Sequence, residues 1–218
     1  HWLSADELER AERFRFERDR RRFVATRGLL RQLLADYLGM EPAAVMLEQT
    51  EHGKPALARP LDRAIAFNVS HSENLALLAF SLRGELGIDV EAIRPVPDRD
   101  QIAAQFFSPV EVAQLAALPG PARDVAFFTC WTRKEAYVKA QGEGLALSLS
   151  AFEVSVAPDL PPSLIVPGDE NETGRWALYA LSLPPGYAGA LVTEGPRVIS
   201  LRAWTGQELT CSETADAI

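Results

Sequence analysis

The sequence predicts an α+β fold built from two similar lobes. Three observations carry this: a long helical pattern from Ala5 to Leu38, a second from about Ala122 to Gln141, and short β-compatible segments after each. Helix followed by strands thus occurs twice, as a pattern rather than as repeated residues, and without the βαβ alternation of a parallel sheet. The junction falls near Arg83 to Glu85, which gives an N-terminal lobe of residues 1–84 and a C-terminal lobe of 85–218.

Each element follows from its local chemistry. Ser4 and Glu7 have capping-box spacing and Leu3 with Leu8 can form a staple, so the first helix starts at Ala5. Leu30, Leu33, Leu34, Tyr37 and Leu38 recur as a core stripe, Gly39 stops the helix, and a break between Phe16 and Arg18 is left open. "AVMLEQ", "IAFNVS" and "LALLAFSL" are strand candidates separated by the turns "EHGKP" and "HSEN", and "GELGIDVEAI" begins the second set. Ser108, Pro109 and Glu111 open a helix that ends before Pro119-Gly120, and Gly142 stops the next one. "FEVSV", "RWALYAL" and "YAGALVT" read as strands. The stretch "APDLPPSLIVPGDENETG" reads as a polar connection, and the tail after Trp204 as loosely ordered.

Composition narrows the function. At 218 residues, 47% hydrophobic and 24% charged, the chain buries a sizeable core without staples. Cys130 and Cys211 are far apart and show no metal spacing, so a reducing cytoplasm is expected. No apolar run approaches the ~18 residues of a membrane span, and no membrane partner is expected. A net charge of −8 argues against nucleic acid as a partner. Positive charge is nonetheless gathered in "RFRFERDRRRFVATRGLLRQ", which points to a compact anion as ligand. The chain opens at His1 rather than at methionine, which leaves the native N-terminus open.

Two carboxylates in "GIDVE" share a strand face, because alternation sends Asp89 and Glu91 one way and Ile88 and Val90 the other. They either face water or share a cation. In "CWTRKEAYVKA", Phe128, Trp131, Glu135 and Lys139 fall on one side of a helix, which places an acid among aromatics. A solvated Glu135–Lys139 pair is the plainer reading; with Glu135 facing the strand, three oxygen ligands could hold Mg²⁺. Asn68 and Ser70 share a strand face, His71 stands at the strand end, and Lys54 projects from "HGKP". Together with the arginine-rich helix these make a phosphate cradle.

In order and spacing, "HGKP", "FNVSHS", "GIDVE", "FFS" and "WTRKEAYVKAQGEGL" closely resemble the 4'-phosphopantetheinyl transferases of the surfactin-synthetase-activating type. The resemblance spans most of the chain. It implies a pseudodimer of two lobes in one chain, the 4'-phosphopantetheinyl transferase fold, with the active site in the cleft between them and a monomeric protein. The implied reaction is magnesium-dependent transfer of 4'-phosphopantetheine from coenzyme A to a serine of an acyl, peptidyl or aryl carrier protein. It releases adenosine 3',5'-bisphosphate and serves fatty-acid, polyketide or nonribosomal-peptide synthesis.

By motif position, Asp89, Glu91 and Glu135 match the magnesium ligands. Glu135 also matches the proposed base for the carrier serine, with a metal-bound water as the alternative. Lys139 matches the lysine at the pyrophosphate and Lys134 a second lysine on the ligand side. The resemblance places Gly53, Lys54, Pro55, Asn68, Ser70 and His71 against coenzyme A, with His71 near the 3'-phosphate, and Arg10 and Arg22 against its phosphates. It expects a strand before the first helix, which this sequence lacks. Phe106 and Phe107 are candidates for carrier docking. The competing readings are a non-catalytic coenzyme A or carrier-protein binding module of the same fold, and a nucleic-acid binder using the arginine helix.

Overall fold

The structure is a computed structural model that describes residues 2–50, 53–61, 65–142, 144 and 147–204, together with the backbone of 209–212. The first helical pattern resolves into two helices, α1 (Ala5–Glu12) and α2 (Glu17–Leu38). The break falls before Phe16, whose backbone is extended at φ −111° and ψ 132°. Glu7 takes the Ser4 N–H at 3.0 Å, as the capping spacing predicted. It also pairs with Arg27 and, at 2.6 Å, with the buried Arg31 of α2, so one acid both caps α1 and pins it to α2. Gly39 ends α2 in the left-handed region at φ 65°, as expected.

The first set of strands is two antiparallel pairs, β1 (Leu47–Gln49) with β2 (Pro55–Leu57) and β3 (Ala66–Ser72) with β4 (Leu75–Ser81). α2 lays Leu30, Leu34 and Ala35 onto Val45, Leu57, Ile65 and Phe67 as one core. The second set is a sheet of β5 (Leu86–Ala92), β9 (Tyr187–Glu194) and β8 (Trp176–Ala180), in that order and antiparallel. Across it lies α5 (Gly120–Gln141), with Phe127, Phe128, Ala136, Tyr137 and Ala140 buried against Ala190 and Val192. Each long helix therefore packs on antiparallel strands of its own, which is the predicted α+β arrangement of two lobes.

Several elements go beyond the sequence reading. α3 (Arg99–Phe106) precedes the predicted helix α4 (Pro109–Ala117), which Ser108 caps by accepting the Glu111 N–H at 3.3 Å. The connection read as irregular carries β7 (Leu164–Ile165), paired with β6 (Glu153–Val154), and the short helix α6 (Glu170–Arg175). Part of the tail is a strand, β11 (Leu209–Ser212), paired with β10 (Leu201–Trp204); 205–208 and 213–218 lie outside the described residues. No helix among the described residues is long and apolar enough to cross a membrane.

The two sets of strands meet at β3 and β5, which lie side by side in separate backbone sheets. Side chains take the place of a ladder. Asn68 Oδ1 accepts the Ile88 N–H at 2.9 Å, Ser70 Oγ the Val90 N–H at 3.2 Å, and Ser72 Oγ the Ala92 N–H at 3.0 Å. Beneath this seam Leu77, Ile88, Val90 and Leu191 form a small shared core.

Candidate active site

A cavity of about 650 Å³ opens along the seam. Its lining includes Gly53, Lys54, Pro55 and Asn68 on one wall, Glu135, Val138 and Lys139 from α5 on the other, and Gln105, Phe106, Leu147 and Leu149 between them. The turn behind the first wall is built by Thr50, whose carbonyl accepts the Gly53 N–H at 2.8 Å and whose N–H donates to the Lys54 carbonyl at 2.9 Å. Gly53 takes φ 78°, a region costly for other residues. His52 lies outside the described residues. Lys54 Nζ reaches across to the Leu86 carbonyl at 3.2 Å and to Glu85 at 3.3 Å, so this turn is tied to the start of β5.

Gly87 brings α5 down onto β5. A Cβ at that position would lie 2.1 Å from the Ala136 carbonyl oxygen and 2.3 Å from the Ala140 nitrogen. Gly87 and Asp89 share a strand face; this close approach sets the height of α5 above Asp89. Lys139 Nζ consequently reaches Asp89 Oδ1 at 2.6 Å, and the Ser70 hydroxyl reaches the same oxygen at 2.7 Å. Lys139 thus pairs across to β5. The other oxygen, Asp89 Oδ2, is buried and has no hydrogen-bond partner among the described residues.

The acids repel one another in a poorly hydrated place. Burial pushes the Asp89 carboxyl up, the Lys139 ammonium and the Ser70 hydroxyl pull it down, and nearby Glu91 pushes it up again, with a net rise. Burial likewise raises Glu135, and Asp89 and Glu91 raise it further against the pull of Lys139. Glu91 accepts from Ser72 at 2.8 Å and has Arg94 at 3.6 Å. Among the described residues no three acids, histidines or cysteines stand close enough to cage a metal ion. The donor chemistry nevertheless fits a hard divalent cation, because an orphaned carboxylate oxygen lies among mutually repelling acids.

Other predicted site residues are placed as follows. His71 is exposed on β3, and Arg22 bonds Glu73 at 3.2 Å and Asn74 Oδ1 at 2.7 Å, just beyond it in the same hairpin. Arg10 stacks on Phe23 at 5.2 Å. Neither arginine lines the cavity. Ser70 is buried and faces Asp89 rather than the cavity.

Lys134 corrects the sequence reading. It is fully buried, paired with Glu111 at 2.8 Å, and its ammonium donates to the Leu149 and Phe152 carbonyls, both at 2.7 Å. One residue from Glu135, a helix turns 100°, and that rotation takes Lys134 into the interior rather than to a ligand. Phe107 is likewise core at 3% exposure, stacked against Phe127, which removes it as a docking residue; Phe106 remains at the cavity. Gly87, Ser72 and Gln105 were not singled out from sequence. The available signal was the glycine two residues before Asp89 in "GIDVE".

Known proteins match most of the chain. Residues 1–83 match the family described as 4'-phosphopantetheinyl transferase, N-terminal, and residues 85–192 the 4'-phosphopantetheinyl transferase superfamily. The 4'-phosphopantetheinyl transferase HetI of Nostoc sp. is 45% identical over 74% of this chain and 68% of its own length. The transferase psf-1 of Bacillus pumilus is 30% identical over 89% of this chain and 80% of its own, and Sfp of Bacillus subtilis 27% over 89% and 84%. The chain belongs to the 4'-phosphopantetheinyl transferase family, whose activity is transfer of phosphopantetheine from coenzyme A to a carrier protein.

Proposed function

We propose that this transfer is magnesium-dependent and takes place in the cavity between β3 and α5, with residues 1–84 and 85–218 as the two lobes of a monomeric cytoplasmic enzyme. The carrier is an acyl, peptidyl or aryl carrier protein. The observation that carries the reading is the approach of Lys139 on α5 to Asp89 on β5 at 2.6 Å, with Glu135 beside Lys139 in the cavity wall and Asp89 Oδ2 without a hydrogen-bond partner among the described residues. Asp89, Glu91 and Glu135 would close on the cation, since among the described residues they do not stand near enough to cage one as they are. When bound it supplies positive charge against the pyrophosphate as charge develops there.

The chain's own groups account for the remaining steps. Glu135 faces the cavity, where burial and the charges of Asp89 and Glu91 raise its carboxyl above the usual range and make it the stronger base. It accepts the proton of the carrier serine as that oxygen bonds to the phosphorus nearer the pantetheine. The phosphorus–oxygen bond to adenosine 3',5'-bisphosphate breaks, and the leaving phosphate keeps the electron pair. Lys139 and Lys54 stand on opposite walls and neutralise the pyrophosphate oxygens. His71 of β3 and Arg22 of α2, which bonds the β3–β4 turn through Glu73 and Asn74, hold the 3'-phosphate outside the cavity. The apolar end, Phe106, Val138, Leu147 and Leu149, receives the pantetheine arm.

The test is intact-mass spectrometry of apo acyl, peptidyl and aryl carriers incubated with the protein, coenzyme A and magnesium. A mass gain of one phosphopantetheine, abolished by chelation, is expected. Binding of coenzyme A with no mass gain on any carrier would instead establish the non-catalytic module.

A further inference from the structure

Alternate residues of β3 present Asn68, Ser70 and Ser72 to the β5 backbone. The two serines do more than close the seam. Ser70 Oγ takes the Val90 N–H and lies 2.7 Å from Asp89; Ser72 Oγ takes the Ala92 N–H and lies 2.8 Å from Glu91 Oε2. A hydroxyl has a single hydrogen. With an N–H already directed at its oxygen, that hydrogen goes to the carboxylate, so each serine ties one carboxylate oxygen to the backbone of the residue after the acid. The construction occurs twice at two-residue spacing, once per acid. Asn68, one step earlier, takes the Ile88 N–H in the same way but bonds no acid among the described residues. The 2.8 Å contact of Glu91 with Ser72 is shorter than the 3.6 Å contact with Arg94, whose side chain is 57% exposed.

We infer that Ser72 is a positioning residue for Glu91, acting on the reaction through that acid as Ser70 does through Asp89. The inference rests on the reading of these acids as ligands of a divalent cation. Fixing one oxygen by a hydroxyl leaves the other free to turn toward the cleft, and losing such a support typically weakens a metal site 10–100-fold.

The test measures Mn²⁺ binding to the full chain with coenzyme A present, from the paramagnetic resonance signal of the free ion, beside steady-state kinetics. Ser72→Ala is expected to weaken Mn²⁺ about tenfold, raise the metal concentration needed for half-maximal turnover, and leave the coenzyme A KM at saturating metal unchanged. Ser72→Thr should restore the affinity. In a Glu91→Ala background, Ser72→Ala should add nothing. If Ser72→Ala unfolds the chain, the shape-matched pair Ser72→Thr and Ser72→Val makes the same comparison. A lowered Tm with unchanged Mn²⁺ affinity, where Glu91→Ala does weaken it, would reduce Ser72 to a seam residue and overturn the inference. Unchanged Mn²⁺ affinity in Glu91→Ala would instead remove Glu91 as a ligand, and the role of Ser72 with it.

Discussion

Gly87→Ala tests how closely the site depends on the approach of α5 to β5. The added methyl group would sit 2.1 Å from the Ala136 oxygen, 2.3 Å from the Ala140 nitrogen and 2.8 Å from the Lys139 carbonyl carbon, where ordinary contact begins at 3.4 Å. The shortfall is 3.4 − 2.1, about 1.3 Å, against helix backbone that has no rotamer to escape into. Lys134 anchors the far side of α5 to Glu111 and the 149–152 backbone. Helix and strand must therefore part by about 1 Å at the level of Lys139. Overpacking of this kind costs about 1–3 kcal/mol, lowering Tm by about 2–12 °C. Misplacing the reacting groups by about 1 Å costs about 100-fold in kcat/KM. The assays are a thermal melt and carrier loading at saturating magnesium. Gly189→Ala is the contrast, because its methyl meets first the flexible tip of Leu183, at 2.5 Å, and should cost less. Native Tm with kcat/KM within about threefold of wild type in Gly87→Ala would refute the argument.

Other outcomes follow from the same contacts. Lys134→Ala should cost about 3–5 kcal/mol in a denaturant titration, since Glu111 is left charged and buried, while Lys134→Met with Glu111→Leu should recover most of it. The Glu7 carboxyl is pushed up by burial but held lower on balance by Arg31, the Ser4 N–H and Arg27. A depressed folded pKa gives stability that is present above the ordinary value of 4.5 and lost as pH falls through the folded value. Glu7→Gln should therefore melt lower at neutral pH and flatten the acid limb of Tm against pH. His71→Ala should weaken coenzyme A more than dephospho-coenzyme A in a binding titration, and equal losses would remove the 3'-phosphate assignment.

What the sequence disclosed and what it hid divides along local and non-local lines. Ser4, Gly39, Ser108 with Glu111, and Gly142 could be read because a cap is settled within a few residues. α3 escaped because its apolar residues, chiefly Ile102, Ala103 and Phe106, make too weak a stripe, and only Ala103 is buried. Lys134 was misplaced for a different reason. Its neighbour Glu135 does face the cavity, but the buried partner Glu111 is already used locally in a capping box, which hides its second role. Ser72 escaped for the same reason, since its partners Glu91 and Ala92 lie on another strand. That Asp89 and Glu91 share a strand face and that Glu135 and Lys139 share a helix side could be read, because strand and helix periods need no tertiary information.

The central claim is that Asp89 and Glu135 serve chemistry rather than folding, and the most direct measurement is carrier loading by intact-mass spectrometry for Asp89→Ala and Glu135→Ala, each with its melting curve. Burial and mutual repulsion raise both carboxyls, so each charged form opposes folding; Glu135→Ala should melt no lower than wild type, whereas Asp89→Ala also leaves Lys139 and Ser70 without their shared oxygen and should melt lower yet remain folded. Neither folded variant should load a carrier at saturating coenzyme A and magnesium. Loading at the wild-type rate by either one would contradict the claim.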